Sequence, residues 1–464
     1  MTRLTYDDDL FLRMECVLDV PVVNQIVWRF TGPIDSEVLD STWRNLAGGP
    51  IDRAVHRVSV PGARDRWVRA ESTLPLLRGA RAIPAHALAE WMEERAAVAL
   101  DPTSGPVWQL AYTDLENGGS ALSLVASHVV GDGGALTSAA IAALRGPSDP
   151  DDFASAFDTA PTSDLRDAAG QLRAAASGTA RALGRTVRGV LPGASTPSAS
   201  KAGTQAVVDK QAVVDKPAVV DKQRAGKLPV AARTTGEFSP STVVVDCPTD
   251  EWVAAASRAG GSANSLLVAV ALGILTAGGR VKESDAVKVS LPVSTRIPGD
   301  TRANATSGVS IVVDGGRGYL DDLRPIRRDS KAAFQALADA TRSTTFELTK
   351  PLMQMLPDAV VARAAKSATA PLCLCSNLGA RGGALRSVGG AVAESVAMRS
   401  ITQNTTAELL RRTKGGVSVW WNTCGETATL CVTGLDPDLY PGREHLKKLI
   451  ADEYTRWQLT PTFW

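Results

Sequence analysis

Residues 120–141 read SALSLVASHVVGDGGALTSAAI. An apolar run of strand length, SALSLVAS, ends at Ser127 and meets His128. The bend VVGDGG follows. From Ala135 the chain continues as ALTSAAIAALRG, apolar at helical spacing up to Gly146. Strand, glycine bend and helix in that order make one unit of a mixed α/β (α+β) fold. The bend also carries the pattern H-x-x-x-D-G, with His128, Asp132 and Gly133.

This pattern suits general-base chemistry. A histidine at a strand end, beside a loop, can turn one ring nitrogen toward a cleft. Its ordinary pKa of about 6.5 suits proton abstraction near neutrality. Gly131, Gly133 and Gly134 are expected to let the backbone turn sharply. Asp132 is expected to fix the bend by accepting a hydrogen bond or facing a cation. Ser127 does not read as a nucleophile activated by His128, because successive strand residues point to opposite faces. The chain also has no G-x-S-x-G elbow. His56, His86 and His445 sit in no such pattern and read as structural.

Upstream of the bend, VVNQIVWRFTG (22–32) has strand composition. PIDSEVLDSTWRNLAGG (33–49) sets Ile34, Val38, Trp43 and Leu46 near helical spacing ahead of a Gly-Gly stop. RAVHRVSVPG (53–62) and RDRWVRAE (64–71) read as short paired strands, and residues 84–102 as a helix ended before Pro102. Residues 106–134 read as a hairpin about Asn117-Gly118-Gly119, and 163–191 as an Ala/Arg-rich helix.

Residues 206–223 then read AVVDKQ, AVVDKP, AVVDKQ, flanked by Pro, Ser, Ala and Gly. That composition predicts a flexible surface linker over 191–235. It leaves an N-terminal lobe, 1–190, carrying the H-x-x-x-D-G bend, and a C-terminal lobe, 236–464. In the latter, 241–281 reads as strand, helix, Gly-Gly break and apolar helix, and AVKVSLPVSTR (286–296) as a strand. A helix (320–337), a strand (370–379), a hairpin (415–434) and a closing helix (441–459) complete it.

The formal net charge of +1 over 464 residues gives no global basic field for nucleic acid or an anionic membrane. Small molecules or specific protein surfaces are the expected partners. The six cysteines form no C-x-x-C pair, and no His/Cys spacing matches a zinc site, so no metal is expected. They read as reduced thiols of a cytoplasmic protein. The N-terminal segment lacks the basic stretch and apolar run of a signal peptide. The longest apolar segment, SLLVAVALGIL (265–275), is too short to be a transmembrane segment.

At the H-x-x-x-D-G bend the chain resembles the thioester-dependent acyltransferase superfamily. That group includes chloramphenicol acetyltransferase, the condensation domains of nonribosomal peptide synthetases, plant BAHD acyltransferases, and the polyketide-associated and wax ester/diacylglycerol acyltransferases. The family signature is H-H-x-x-x-D-G, and SHVVGDG departs from it with Ser127 in place of the first histidine. Further segments resemble the family in order: LTYDDDLFLRME at the start, GGSANSLLVAVALGIL, VSLPVSTR, TRANATSG and CSNLGA. The likeness spans both halves and excludes roughly 145–235.

The resemblance implies two chloramphenicol-acetyltransferase-like lobes with a central tunnel between them. It implies His128 as the base, and Arg296 as the partner of a structural Asp132. Asn304, Ser376 and Asn377 are candidates to contact substrate or the oxyanion. The expected activity moves an acyl group from a CoA or carrier-protein thioester to a hydroxyl or amine, with no bound cofactor and no acyl-enzyme. An acyl-CoA or phosphopantetheine thioester would be the co-substrate, and an acyl or peptidyl carrier protein a possible partner. Two alternatives stand beside this reading: a catalytically degenerate module that binds a carrier, and a condensation-type enzyme forming amides.

Overall fold

The structure, a computed structural model, describes residues 3–146, 162–190, 239–297, 299–315, 319, 321–339 and 345–464. The expected linker, with its three AVVDK units, lies outside these residues. The first half contributes strands β1 (Val22–Phe30), β2 (Arg53–His56), β3 (Arg66–Arg69), β4 (Leu77–Arg78), β5 (Trp108–Asp114) and β6 (Ser120–Ser127). The second half contributes β7 (Thr242–Pro248), β8 (Ala286–Ser294), β9 (Thr306–Asp314), β10 (Cys373–Gly379) and β11 (Ser387–Val388). It continues with β12 (Ala391–Thr402), β13 (Val417–Cys424), β14 (Thr427–Gly434) and β15 (Thr462–Phe463).

One sheet runs β11-β12-β1-β6-β5-β4 and the other β15-β7-β14-β13-β10-β8-β9, while β2 and β3 pair apart from both. β5 and β6 form the hairpin expected from the sequence, turning through Gly118 at a φ of 84° that glycine adopts freely. β1 and β6 are buried along nearly their whole length. They lack the alternation of a one-sided strand because each has a neighbour on both edges and packing on both faces. Two polar side chains inside β1 bond across the fold: Asn24 donates to the Gly131 carbonyl at 2.8 Å, and Gln25 donates to the Met92 carbonyl at 3.0 Å.

The sheets do not divide at the linker. β11 and β12 follow it in sequence yet lie in the first sheet, where β12 runs antiparallel to β1 from Val22↔Thr402 to Phe30↔Ala393. The sheets then meet along β12 and its neighbours. Asn422 of β13 donates to the Val396 carbonyl of β12 at 2.9 Å. Arg29 of β1 pairs with Asp246 of β7 at 3.1 Å, and the Trp464 indole donates to the same carboxylate at 2.7 Å.

The apolar helix Ala263–Ala277 starts in a capping box between Ser262 and Ser265 and is buried all round in the core of the second lobe. Among the described residues no single helix is long and apolar enough to cross a membrane. The bent pair Thr249–Arg258 and Ala263–Ala277 meets the length and composition test only jointly, across an 85° break.

The helix expected over 84–102 is shorter, a 3₁₀ turn Ala85–Ala87 followed by Leu88–Ala96. The Gln403 side chain takes the Ala96 and Val98 carbonyls at 2.7 and 2.9 Å, so carbonyls at the helix end bond across the fold instead of continuing the ladder. Helices Tyr6–Cys16, Thr345–Gln354 and Asp358–Ala365 and strands β9 and β12 were not read from the sequence.

Candidate active site

His128 follows the last residue of β6. Its amide donates to the Val22 carbonyl at the start of β1 (2.8 Å), and the Val130 amide donates to the Ser127 carbonyl (3.1 Å), closing the turn. The half-buried ring stacks on Phe11 of the first helix, with centroids 3.6 Å apart and planes at 17°. Its Nδ1 lies 3.0 Å from Oδ1 of Asn304, which the loop between β8 and β9 brings in from the second half. Burial pushes the His128 pKa below its ordinary 6.5. Asp132, the residue's own carbonyl and Asn304 oppose that shift without cancelling it. The ring is therefore neutral near pH 7.

Asp132 caps the helix Gly133–Arg145, accepting from the Ala135 amide at 2.7 Å. The same oxygen, Oδ1, accepts from Arg296 Nη2 at 2.8 Å. Oδ2 accepts from the Ala305 amide at 2.7 Å and the Thr306 hydroxyl at 2.9 Å. Burial alone would raise its pKa. Arg296, the two amides and Thr306 outweigh that and hold the carboxyl below its ordinary 3.8. Arg296 also donates to the carbonyls of Arg302 (2.8 Å) and Ala303 (3.1 Å). The pair thus fastens the bend of one lobe to the 295–306 loop of the other.

The glycines of the bend are there for space and not for turning, since none of Gly131, Gly133 and Gly134 adopts a left-handed φ. A Cβ at Gly133 would lie 3.3 Å from the edge of the Trp420 ring on β13. One at Gly134 would lie 3.2 Å from Asp132 Oδ1 and 3.4 Å from Arg296 Nε. Gly134→Ala gains about 1 kcal/mol of helix propensity but crowds a buried ion pair, where overpacking costs about 1–3 kcal/mol. We expect a lower melting temperature in a thermal scan; an unchanged or higher one would show that the pair has room to shift.

The structure brings His128, Asp132, Gly133, Arg296 and Asn304 together. Asn304 is not free to donate to an oxyanion. Its side-chain nitrogen already faces Asp8 Oδ1 (2.9 Å) and the carbonyls of His128 (3.1 Å) and Val129 (3.3 Å). Ser376 and Asn377 lie on β10, where Ser376 is buried opposite Trp420. Asn377 accepts from the Gly379 amide at 2.9 Å and faces Asn264 at 3.4 Å, and no hydrogen bond joins either residue to His128 among the described residues.

Sequence reading missed the contribution of the first helix, which supplies Asp8, Phe11 and Glu15. A usable signal was present: Thr5 and Asp8 stand at capping-box spacing. Ser127, at the place of the signature's first histidine, accepts from the Val129 amide at 3.3 Å and faces Glu15 Oε2 at 3.5 Å. Burial first, and Asp101 second, push the Glu15 pKa up to about 7 against the Ser127 hydrogen bond. No group of three His, Cys, Asp or Glu among the described residues is arranged to hold a metal. All six cysteines are free thiols.

No family model and no curated protein sequence matches the chain. Solved structures do. The first condensation domain of the CDA synthetase superposes with a TM-score of 0.56 at 14% identity, covering 98% of this chain and 96% of that one. The wax ester synthase/diacylglycerol acyltransferase from Marinobacter aquaeolei VT8 gives 0.54 at 13% identity, covering 98% and 99%. Polyketide synthase associated protein 5 from Mycobacterium tuberculosis gives 0.50 at 14%, covering 97% of each chain. The likeness extends over nearly the whole length and establishes the architecture: the chain has the mixed α/β, chloramphenicol-acetyltransferase-like fold of the condensation domains and the wax ester synthase.

Proposed function

We propose that the chain transfers an acyl group from a CoA or carrier-protein thioester to a hydroxyl or amine, with His128 as general base. The observation that carries this reading is the placement of His128. It is a neutral imidazole on a rigid turn at the join of the two lobes, held at Nδ1 by Asn304, with Nε2 left to act. The fold shared with proteins described as condensation domains and as a wax ester synthase supports it.

In this mechanism Nε2 takes the proton of the acceptor O–H or N–H as the acceptor atom bonds to the thioester carbonyl carbon. The tetrahedral intermediate then collapses, the C–S bond breaks, and the leaving thiolate recovers the proton from Nε2. No side chain is acylated and no bound cofactor takes part. Asp132 and Arg296 hold the bend and do not touch the reacting atoms.

The reading is tested by thiol release from a panel of acyl-CoA and acyl-carrier thioesters offered alcohol and amine acceptors. Ester or amide product that depends on both substrates supports it, and no release with any pair sinks it. A second reading, a module that binds a carrier without chemistry, draws on Ser127 at the place of the first signature histidine. It predicts carrier binding with no thiol release.

The pH dependence has a definite sign. The base works when neutral, and its pKa lies below 6.5. We expect kcat/KM to stay level from neutral pH downward and to fall only below 6.5. An acid limb centred above that value would assign it to another group.

A further inference from the structure

The contacts behind His128 extend to the first helix. Asp8 is buried, and its Oδ1 accepts both the backbone amide and the side-chain amide of Asn304, each at 2.9 Å. Its Oδ2 accepts the Thr5 amide at 2.7 Å, closing the capping box. With both oxygens engaged, the carboxylate has one orientation. That orientation sets the Asn304 amide. Turned over, Asn304 would point its oxygen at a carboxylate and at the carbonyls of His128 and Val129. Oδ1 therefore faces the His128 ring, and Oδ1 can only accept. Free neutral imidazole favours the hydrogen on Nε2, the form that leaves this nitrogen unable to take a proton.

We propose that Asp8 and Asn304 are positioning residues that hold His128 as the Nδ1–H tautomer, so that Nε2 presents its lone pair to the acceptor. The Phe11 ring, stacked at 3.6 Å, fixes the imidazole plane in which this selection operates. The consequence for rate rests on the acyl-transfer reading above; the tautomer itself is a property of the protein alone.

The test is nitrogen NMR of protein labelled with ¹⁵N-histidine, whose four histidines are sorted by the signal lost in His128→Gln. In the wild type, above the His128 pKa, Nδ1 should resonate as a protonated nitrogen and Nε2 as a lone-pair nitrogen. Asn304→Ala should shift the ring toward Nε2–H and lower kcat by about 10–10²-fold with little change in KM. Asp8→Asn, which frees the Asn304 amide to turn, should give a mixture. A wild-type ring found as Nε2–H overturns the proposal, as does an Asn304→Ala protein that keeps the Nδ1–H form. Should Asn304→Ala fail to fold, the wild-type and Asp8→Asn spectra still decide. A wild type showing Nδ1–H but no transfer with any thioester supports the inference and removes the function reading instead.

Discussion

Replacing His128 with alanine is expected to lower acyl transfer by about 10²–10⁴-fold, the usual loss when a positioned general base is removed. On the proposed mechanism the drop should fall on kcat, because the base would act on the proton that moves in the transition state. The fold should survive. The backbone hydrogen bonds of the turn, from His128 to Val22 and from Val130 to Ser127, do not involve the side chain. The ring's stack on Phe11 and its contact with Asn304 Oδ1 are lost. Leaving that oxygen unpartnered costs about 1–3 kcal/mol. The variant should therefore melt somewhat earlier yet cooperatively. A purified His128→Ala protein with near wild-type turnover would remove His128 from the mechanism.

The second large effect belongs to the ion pair behind the bend. Asp132→Ala removes the ion-pair partner of Arg296 and the acceptor of two backbone amides and the Thr306 hydroxyl at once. Breaking a buried pair in this way costs about 3–5 kcal/mol. Activity should fall with stability, because the same carboxylate holds the first turn of the helix and the 295–306 loop that carries Asn304. Arg296→Ala should cost less. It leaves Asp132 with three of its four donors, although the carbonyls of Arg302 and Ala303 lose theirs. The double variant should lose less than the sum of the two, since contacting residues are not independent. Thermal melts of the four proteins measure the coupling. Strict additivity, or an Asp132→Ala protein that is fully stable yet inactive, would give Asp132 a direct part in the chemistry.

The bend that carries His128 and Asp132 was legible because its signal is local. A buried strand, a glycine bend and a capped helix follow one another in sequence, and His128 and Asp132 fall at their joints. Arg296 came from the likeness of VSLPVSTR to a family segment, not from any spacing in this chain. Asp8, Phe11 and Glu15 were not legible as site residues. They reach the bend only because the first helix packs across it, and no local period records a tertiary contact. β12 escaped for a related reason. AVAESVAMRSIT is buried on both faces through its middle, Ser395–Arg399, and so keeps no alternation over that stretch. The roles read for the glycines and for Asn304 failed on a physical point. Composition shows which residue occupies a position, not what crowds it or which of its hydrogens are already taken.

The crossing of β12 into the first sheet sets an order of events during synthesis. β1 needs β12 on one edge, and 360 residues (31–390) separate the end of β1 from the start of β12. At roughly 5–20 residues per second a ribosome takes about 20–70 s to make that stretch. Throughout that interval the nascent first lobe carries an open strand edge, the kind of surface that pairs with other chains. Closing the sheet is therefore a late, long-range step whose loop entropy falls on the folding rate. Cut at the repeats, the first half of this chain would leave the ribosome with β1 unpaired on one side.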